Sequence, residues 1–82
     1  MSETEMSGLA NEALRESKRN DCQIASVKPS QENPENEWLV DLVDQNGQPF
    51  RVVVNTLSLS GEEEIKEAIR RGIAEYFSAA SY

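Results

Sequence analysis

Apolar residues recur at helical spacing towards both ends of the chain and at strand spacing in its middle. Met6, Leu9, Ala10, Ala13 and Leu14 fall at i, i+3, i+4, i+7 and i+8, which is one face of an amphipathic helix. The pattern predicts a helix over 6–19, capped by Ser7, with Lys18 and Arg19 at the negative end of its dipole. Gly8 weakens this helix, and residues 1–5 are expected to be disordered. Residues 22–28 (Cys-Gln-Ile-Ala-Ser-Val-Lys) read as a first strand. From Pro29 to Asn36 two prolines, two asparagines, a serine and two glutamates gather, and such a cluster is a loop.

The strongest local signal is a β-hairpin. Trp38–Val43 and Phe50–Val54 flank Asp44-Gln-Asn-Gly-Gln-Pro49. Asn46-Gly47 is the dipeptide favoured in a two-residue type I′ turn, where both central residues need positive φ. That turn sets Val43 opposite Phe50, Asp41 opposite Val52 and Leu39 opposite Val54. Five of these six positions are apolar, so this side is expected to be the core face. The other side then carries Trp38, Val40, Leu42 and Val53 with Arg51 and Asn55. An antiparallel sheet normally wets one face, so the second face needs a cover: the N-terminal segment, another copy of the chain, or a partner. On the same register Asp41 sits among Leu39, Val43 and Val52. Either its carboxyl has a raised pKa or a hidden partner, or the register is off by one and Asp41 is wet.

The last element is the clearest helix. Ser60-Gly-Glu-Glu63 fits a capping box, and Glu62, Glu63 and Glu64 fill the first turn, where the dipole favours acids. Ile65, Ala68, Ile69, Gly72, Ile73, Tyr76, Phe77 and Ala80 form one continuous stripe. Gly72, in the middle of it, predicts close approach of helix to strand. Glu62–Lys66 and Glu67–Arg71 are i, i+4 pairs on the wet side. The whole reads as an α+β fold of αβββα order: a three-stranded antiparallel sheet packed by a C-terminal amphipathic helix, with a further N-terminal helix. Residues 6–82 form a single small domain.

Composition narrows the function. The chain has 82 residues, no histidine, one cysteine and a formal charge of −7. Without histidine there is no Ser–His or Cys–His nucleophile and no histidine metal site. A lone cysteine forms no internal disulfide, so the fold stands on packing. No apolar run approaches the ~20 residues of a membrane helix, and the acidic start lacks the basic and apolar regions of a signal peptide. With the single thiol, this makes the cytoplasm the expected compartment. The charge is uneven: residues 21–50 carry six acids against Lys28 alone, a net of −5, while the flanking segments are each at −1.

The αβββα order resembles the double-stranded RNA-binding domain, and its strand–strand–strand–helix portion resembles small partner-binding domains of some antitoxins. The likeness covers most of the chain and is one of topology. The RNA-binding family places a lysine cluster at the start of its last helix, where this chain has Glu62, Glu63 and Glu64. That family also uses a histidine-bearing loop between its first two strands, where this chain has Pro29–Asn36 with two glutamates. Both departures replace RNA contacts with groups that repel phosphate, so the fold carries over and the usual function does not.

No catalytic constellation emerges. Glu62–Glu64 fan around the helix by roughly 200° and do not converge. Asp41 and Asp44 lie on opposite faces of their strand. Cys22 has no feature that lowers its pKa, so it reads as a structural thiol. The isolated glycines make no phosphate loop, and no metal-binding loop is present. The expected function is therefore a small acidic non-enzymatic adaptor or inhibitor, without cofactor or metal. It would bind another protein, a basic nucleic-acid-handling one among the candidates, through an apolar sheet face and an acidic loop. The expected contacts are Trp38, Val40, Leu42 and Val53 with Glu32, Glu35 and Glu37. The alternative is a divergent nucleic-acid-binding αβββα domain using Lys18, Arg19, Lys66, Arg70 and Arg71. A homodimer through an edge strand or the Trp38 face is a third possibility.

Overall fold

The computed structural model describes residues 2–80 and opens with a helix, α1 (Glu3–Glu16). Three strands follow, β1 (Cys22–Pro29), β2 (Glu37–Asp44) and β3 (Pro49–Asn55), then a 3-10 turn (Thr56–Ser58) and a second helix, α2 (Glu62–Ala80). The strands form one antiparallel sheet in the order β1-β2-β3. α1 packs on β1, α2 packs on β3, and the two helices pack on each other. The fold is thus the expected α+β arrangement, with both helices covering one side of the sheet.

α1 starts earlier than its apolar stripe. Ser2, not Ser7, is the N-cap: its hydroxyl accepts from the Glu5 amide and the Glu5 carboxylate accepts from the Ser2 amide, each at 3.2 Å. This reciprocal pair satisfies two amides that a helix start leaves without a partner. Residues 2–5, expected to be disordered, are therefore the cap and first turn; Met1 lies outside the described residues. The buried set, Met6, Leu9, Ala10 and Ala13, is the predicted stripe. The helix ends at Glu16, and Lys18 follows in the left-handed region at φ 57°.

The hairpin register differs by one residue from expectation. The Asp44 carbonyl accepts from the Gly47 amide, and the Asp44 amide donates to the Gln48 carbonyl, both at 3.0 Å. Only Gly47 of the loop has positive φ, +79°. The connection is thus a three-residue loop, a turn followed by a left-handed glycine, and not a type I′ turn. One extra residue in the loop slides the pairing, so that Trp38 faces Val54, Val40 faces Val52 and Leu42 faces Phe50. A slip of one residue exchanges the sides on which strand partners meet. The apolar sets of the two strands thereby fall on the same side, and Asp41 meets Arg51 instead of Val52.

β1 solves a similar problem with a bulge. Its inward residues Cys22, Ile24 and Val27 are not at strict alternation, and the pairing shifts between Ile24 and Ser26. The extra residue, Ala25, lets both Ile24 and Val27 face inward.

One core results. It joins α1 (Met6, Leu9, Ala10, Ala13), the inner sheet face (Cys22, Val27, Trp38, Val40, Leu42, Val52, Val54) and α2 (Ile65, Ile69, Ile73). The start of α2 departs slightly from expectation. The Gly61 carbonyl accepts the first helical bond, from Ile65, and it is Glu64, not Glu63, whose carboxylate accepts from the Ser60 amide and hydroxyl. At the other end Phe50 stacks on Tyr76 with centroids 3.8 Å apart, and the Tyr76 hydroxyl donates to Asp44 at 3.0 Å. These contacts fix α2 antiparallel to β3.

Candidate functional site

The side of the sheet away from the helices is open. Alternation along β2 and β3 places Glu37, Leu39, Asp41 and Val43 there, opposite Asn55, Val53, Arg51 and Pro49. Lys28 and Ser26 of β1 join them, next to Leu39 and Asp41. The centre is ionic. Asp41 accepts from Arg51 Nε at 2.6 Å and from the Ser26 hydroxyl at 3.2 Å, and Lys28 Nζ lies 3.8 Å away. The Arg51 hydrogen bond, supported by Ser26 and by both cations, holds the Asp41 carboxyl below the usual range against partial burial. The Asp41 pKa is therefore not raised: the register is off by one, and the carboxylate has partners in Arg51, Ser26 and Lys28. Leu39 and Val43 are half-buried beside it, and Val53 is 55% exposed. The result is an ionic knot flanked by aliphatic side chains, and among the described residues no second layer lies over it.

The acidic loop borders this face. Glu32 and Glu37 line a groove of about 550 Å³ together with Lys28, Leu39 and Arg51. The loop has a fixed course. The Ser30 amide donates to the Glu37 carbonyl at 2.9 Å, and the buried Ser30 hydroxyl accepts from the Glu32 amide at 3.2 Å. The Glu37 amide donates back to the Asn33 carbonyl at 2.9 Å. The Asn36 carbonyl takes both the amide and the hydroxyl of Thr56, at 2.7 and 3.0 Å. Glu32 and Glu35 are exposed on this frame.

The expected contact residues therefore separate. Trp38, Val40 and Leu42 are core, with at most 4% exposure; the helices cover the face they occupy, and α1 is part of that cover. Val53, Glu37 and Glu32 fall on the open side or in its groove, and Glu35 lies at the turn next to it. Leu39, Val43, Lys28 and Arg51 were not among the expected contacts. The signal that places them is the Asp41–Arg51 pair: opposite charges directly across a hairpin stabilise the register that joins them.

The basic side chains are mostly engaged. Lys66, only 8% exposed, reaches Glu63 at 2.8 Å, Glu16 at 3.1 Å and Glu12 at 3.5 Å. Glu63 and Glu16 raise its pKa above the usual lysine range. Arg70 also bonds Glu16, and Arg71 bonds Glu67 at 3.0 Å. Arg19 bonds Asp21 at 3.1 Å and stacks 4.1 Å over Phe77. Cys22 is buried, and burial, with Asp21 second, pushes its thiol up; it stays protonated at neutral pH. Among the described residues no group of three or more His, Cys, Asp or Glu is placed to hold a metal ion, and no helix is long and apolar enough to cross a membrane.

Comparison with protein-family models, curated proteins and solved structures finds no match to this chain. The likeness to the double-stranded RNA-binding domain therefore rests on element order alone.

Proposed function

We propose that this chain is a small acidic, non-enzymatic adaptor or inhibitor that binds another protein through the open face of its sheet and the acidic loop beside it. The observation that supports this reading is a sheet face bare of helices, on which Leu39, Val43 and Val53 surround the Asp41–Arg51 pair. Aliphatic side chains provide area to bury, and the ionic pair provides orientation. Glu32, Glu35 and Glu37 at one end add a negative field in a segment of net −5, which favours a basic partner, such as a protein that handles nucleic acid in the cytoplasm.

The competing reading, nucleic-acid binding through Lys18, Arg19, Lys66, Arg70 and Arg71, has less behind it. Lys66 and Arg70 face the acids of α1, and Arg71 and Arg19 face acids of their own. Duplex RNA and DNA at low salt are expected to show no mobility shift at tens of micromolar protein, about the limit of non-specific binding. The binding reading is tested by the salt dependence of partner affinity. It should weaken as ionic strength rises and weaken further in a Glu32→Lys, Glu35→Lys, Glu37→Lys chain. Affinity indifferent to both would remove the electrostatic part.

A further inference from the structure

β3 pairs with β2 alone and is an edge of the sheet. The Gln48 carbonyl and the Thr56 amide both bond towards β2. Alternation then turns the backbone groups of Phe50, Val52 and Val54 towards β2 and those of Pro49, Arg51, Val53 and Asn55 towards the free edge. Among the described residues, the large hydrophobic ones that are exposed, Val53 and Leu57, lie on this strand and on the turn after it. A groove of about 280 Å³ runs along the edge, and α2 borders it with Ala68 and Gly72. A strand laid against β3 meets small side chains there, with Arg71 and Glu75 at the rim.

We propose that this edge pairs antiparallel with β3 of a second copy about a two-fold axis through Val53, joining two sheets into one of six strands. The register follows from the residues. An axis through Arg51 sets guanidinium opposite guanidinium, and like charges directly across a ladder are unfavourable. An axis through Val52 places Pro49, which has no N–H, opposite Asn55 and leaves a gap in the ladder. An axis through Val53 sets that valine against its own copy and Arg51 against Asn55. It gives the outward amides of Arg51, Val53 and Asn55 a partner each, with Pro49 beyond the paired segment. Pairing of this isologous kind uses one patch twice, and it covers an edge that is otherwise a template for uncontrolled association.

A seven-residue edge is a small interface, so the dimer is weak, with a dissociation constant on the order of 10–100 µM. The test is sedimentation equilibrium of the full chain from about 10 µM to about 1 mM, a range that brackets this affinity. The mass should rise from monomer to dimer. The V53K chain, altered at an exposed outward position, should stay monomeric with an unchanged denaturation midpoint. In the unaltered chain, amide exchange at Arg51, Val53 and Asn55 should slow as concentration increases. A monomer mass across the whole range, a dimer that V53K leaves intact, or exchange at these amides indifferent to concentration overturns the proposal. The purified chain alone is used, so the result is independent of any heterologous partner.

Discussion

Gly72 of α2 stands so close to Val52 of β3 that a methyl group on its Cα would lie 2.6 Å from Val52 Cγ1. No carbon pair tolerates that distance without a shift of helix or strand. The glycine sets the height of α2 above the sheet, and with it the positions of Ile69, Ile73 and the Phe50–Tyr76 stack.

Two glycine-to-alanine changes should therefore have opposite signs. Gly72→Ala should destabilise the fold by about 1–3 kcal/mol through overpacking. Gly8→Ala, in the interior of α1 with open space around it, should stabilise by about 0.5–1 kcal/mol through helix propensity. Urea denaturation measures both. In a Val52→Ala background the Gly72→Ala cost should fall sharply, because the clashing methyls are gone.

The hairpin loop makes a second prediction. Gly47 alone carries positive φ, while the Asn46 amide donates to Asp44 Oδ1 at 2.9 Å. Gly47→Ala should cost about 1–2 kcal/mol, the strain of a left-handed alanine. Asn46→Ala should change stability by less than about 0.5 kcal/mol. A type I′ turn would make both changes costly, so the pair of measurements discriminates the two loops.

That loop also explains what was legible in the sequence and what was not. Element order, the two stripes, and the close approach at Gly72 all followed from periodicity and residue size. The register did not, because Asn46-Gly47 is compatible with two loop lengths and only long-range pairing chooses between them. The choice is made by joining Trp38, Val40 and Leu42 to Phe50, Val52 and Val54 on one face and Asp41 to Arg51 on the other. Ser2-x-x-Glu5 was readable as a capping box but lies before the apolar stripe. The open face was misassigned because the one-residue slip set Leu39 and Val43 on the core side and grouped Trp38, Val40 and Leu42 with Val53.

Stability should fall at both extremes of pH, with signs set by ion pairs and by hydrogen bonds to carboxylates. Arg51 depresses Asp41, the Gln48 amide and Tyr76 hydroxyl depress Asp44, Lys66 depresses Glu63, and Ser60 depresses Glu64. A depressed carboxyl contributes stability above its unfolded pKa of about 4 and loses it as pH falls through the lower folded value. Lys66 is raised by Glu63 and Glu16. Its contribution is complete below about pH 10 and is lost as pH climbs through the folded value. Denaturation midpoints should be flat from about pH 5 to 9 and decline on either side. Lys66→Met should lower the neutral-pH midpoint, and added salt should then raise that midpoint, since Glu12, Glu16 and Glu63 would face one another without the lysine and salt screens their repulsion.

Binding of a protein by the open sheet face can be read by passing native extract over the full chain and over its Leu39→Asp, Val53→Asp form. Both changed positions point away from the core, so circular dichroism of the two forms should coincide. The unaltered chain should retain a discrete protein that the altered chain fails to hold. Equal retention by both forms, or no specific retention by the unaltered chain, would contradict it.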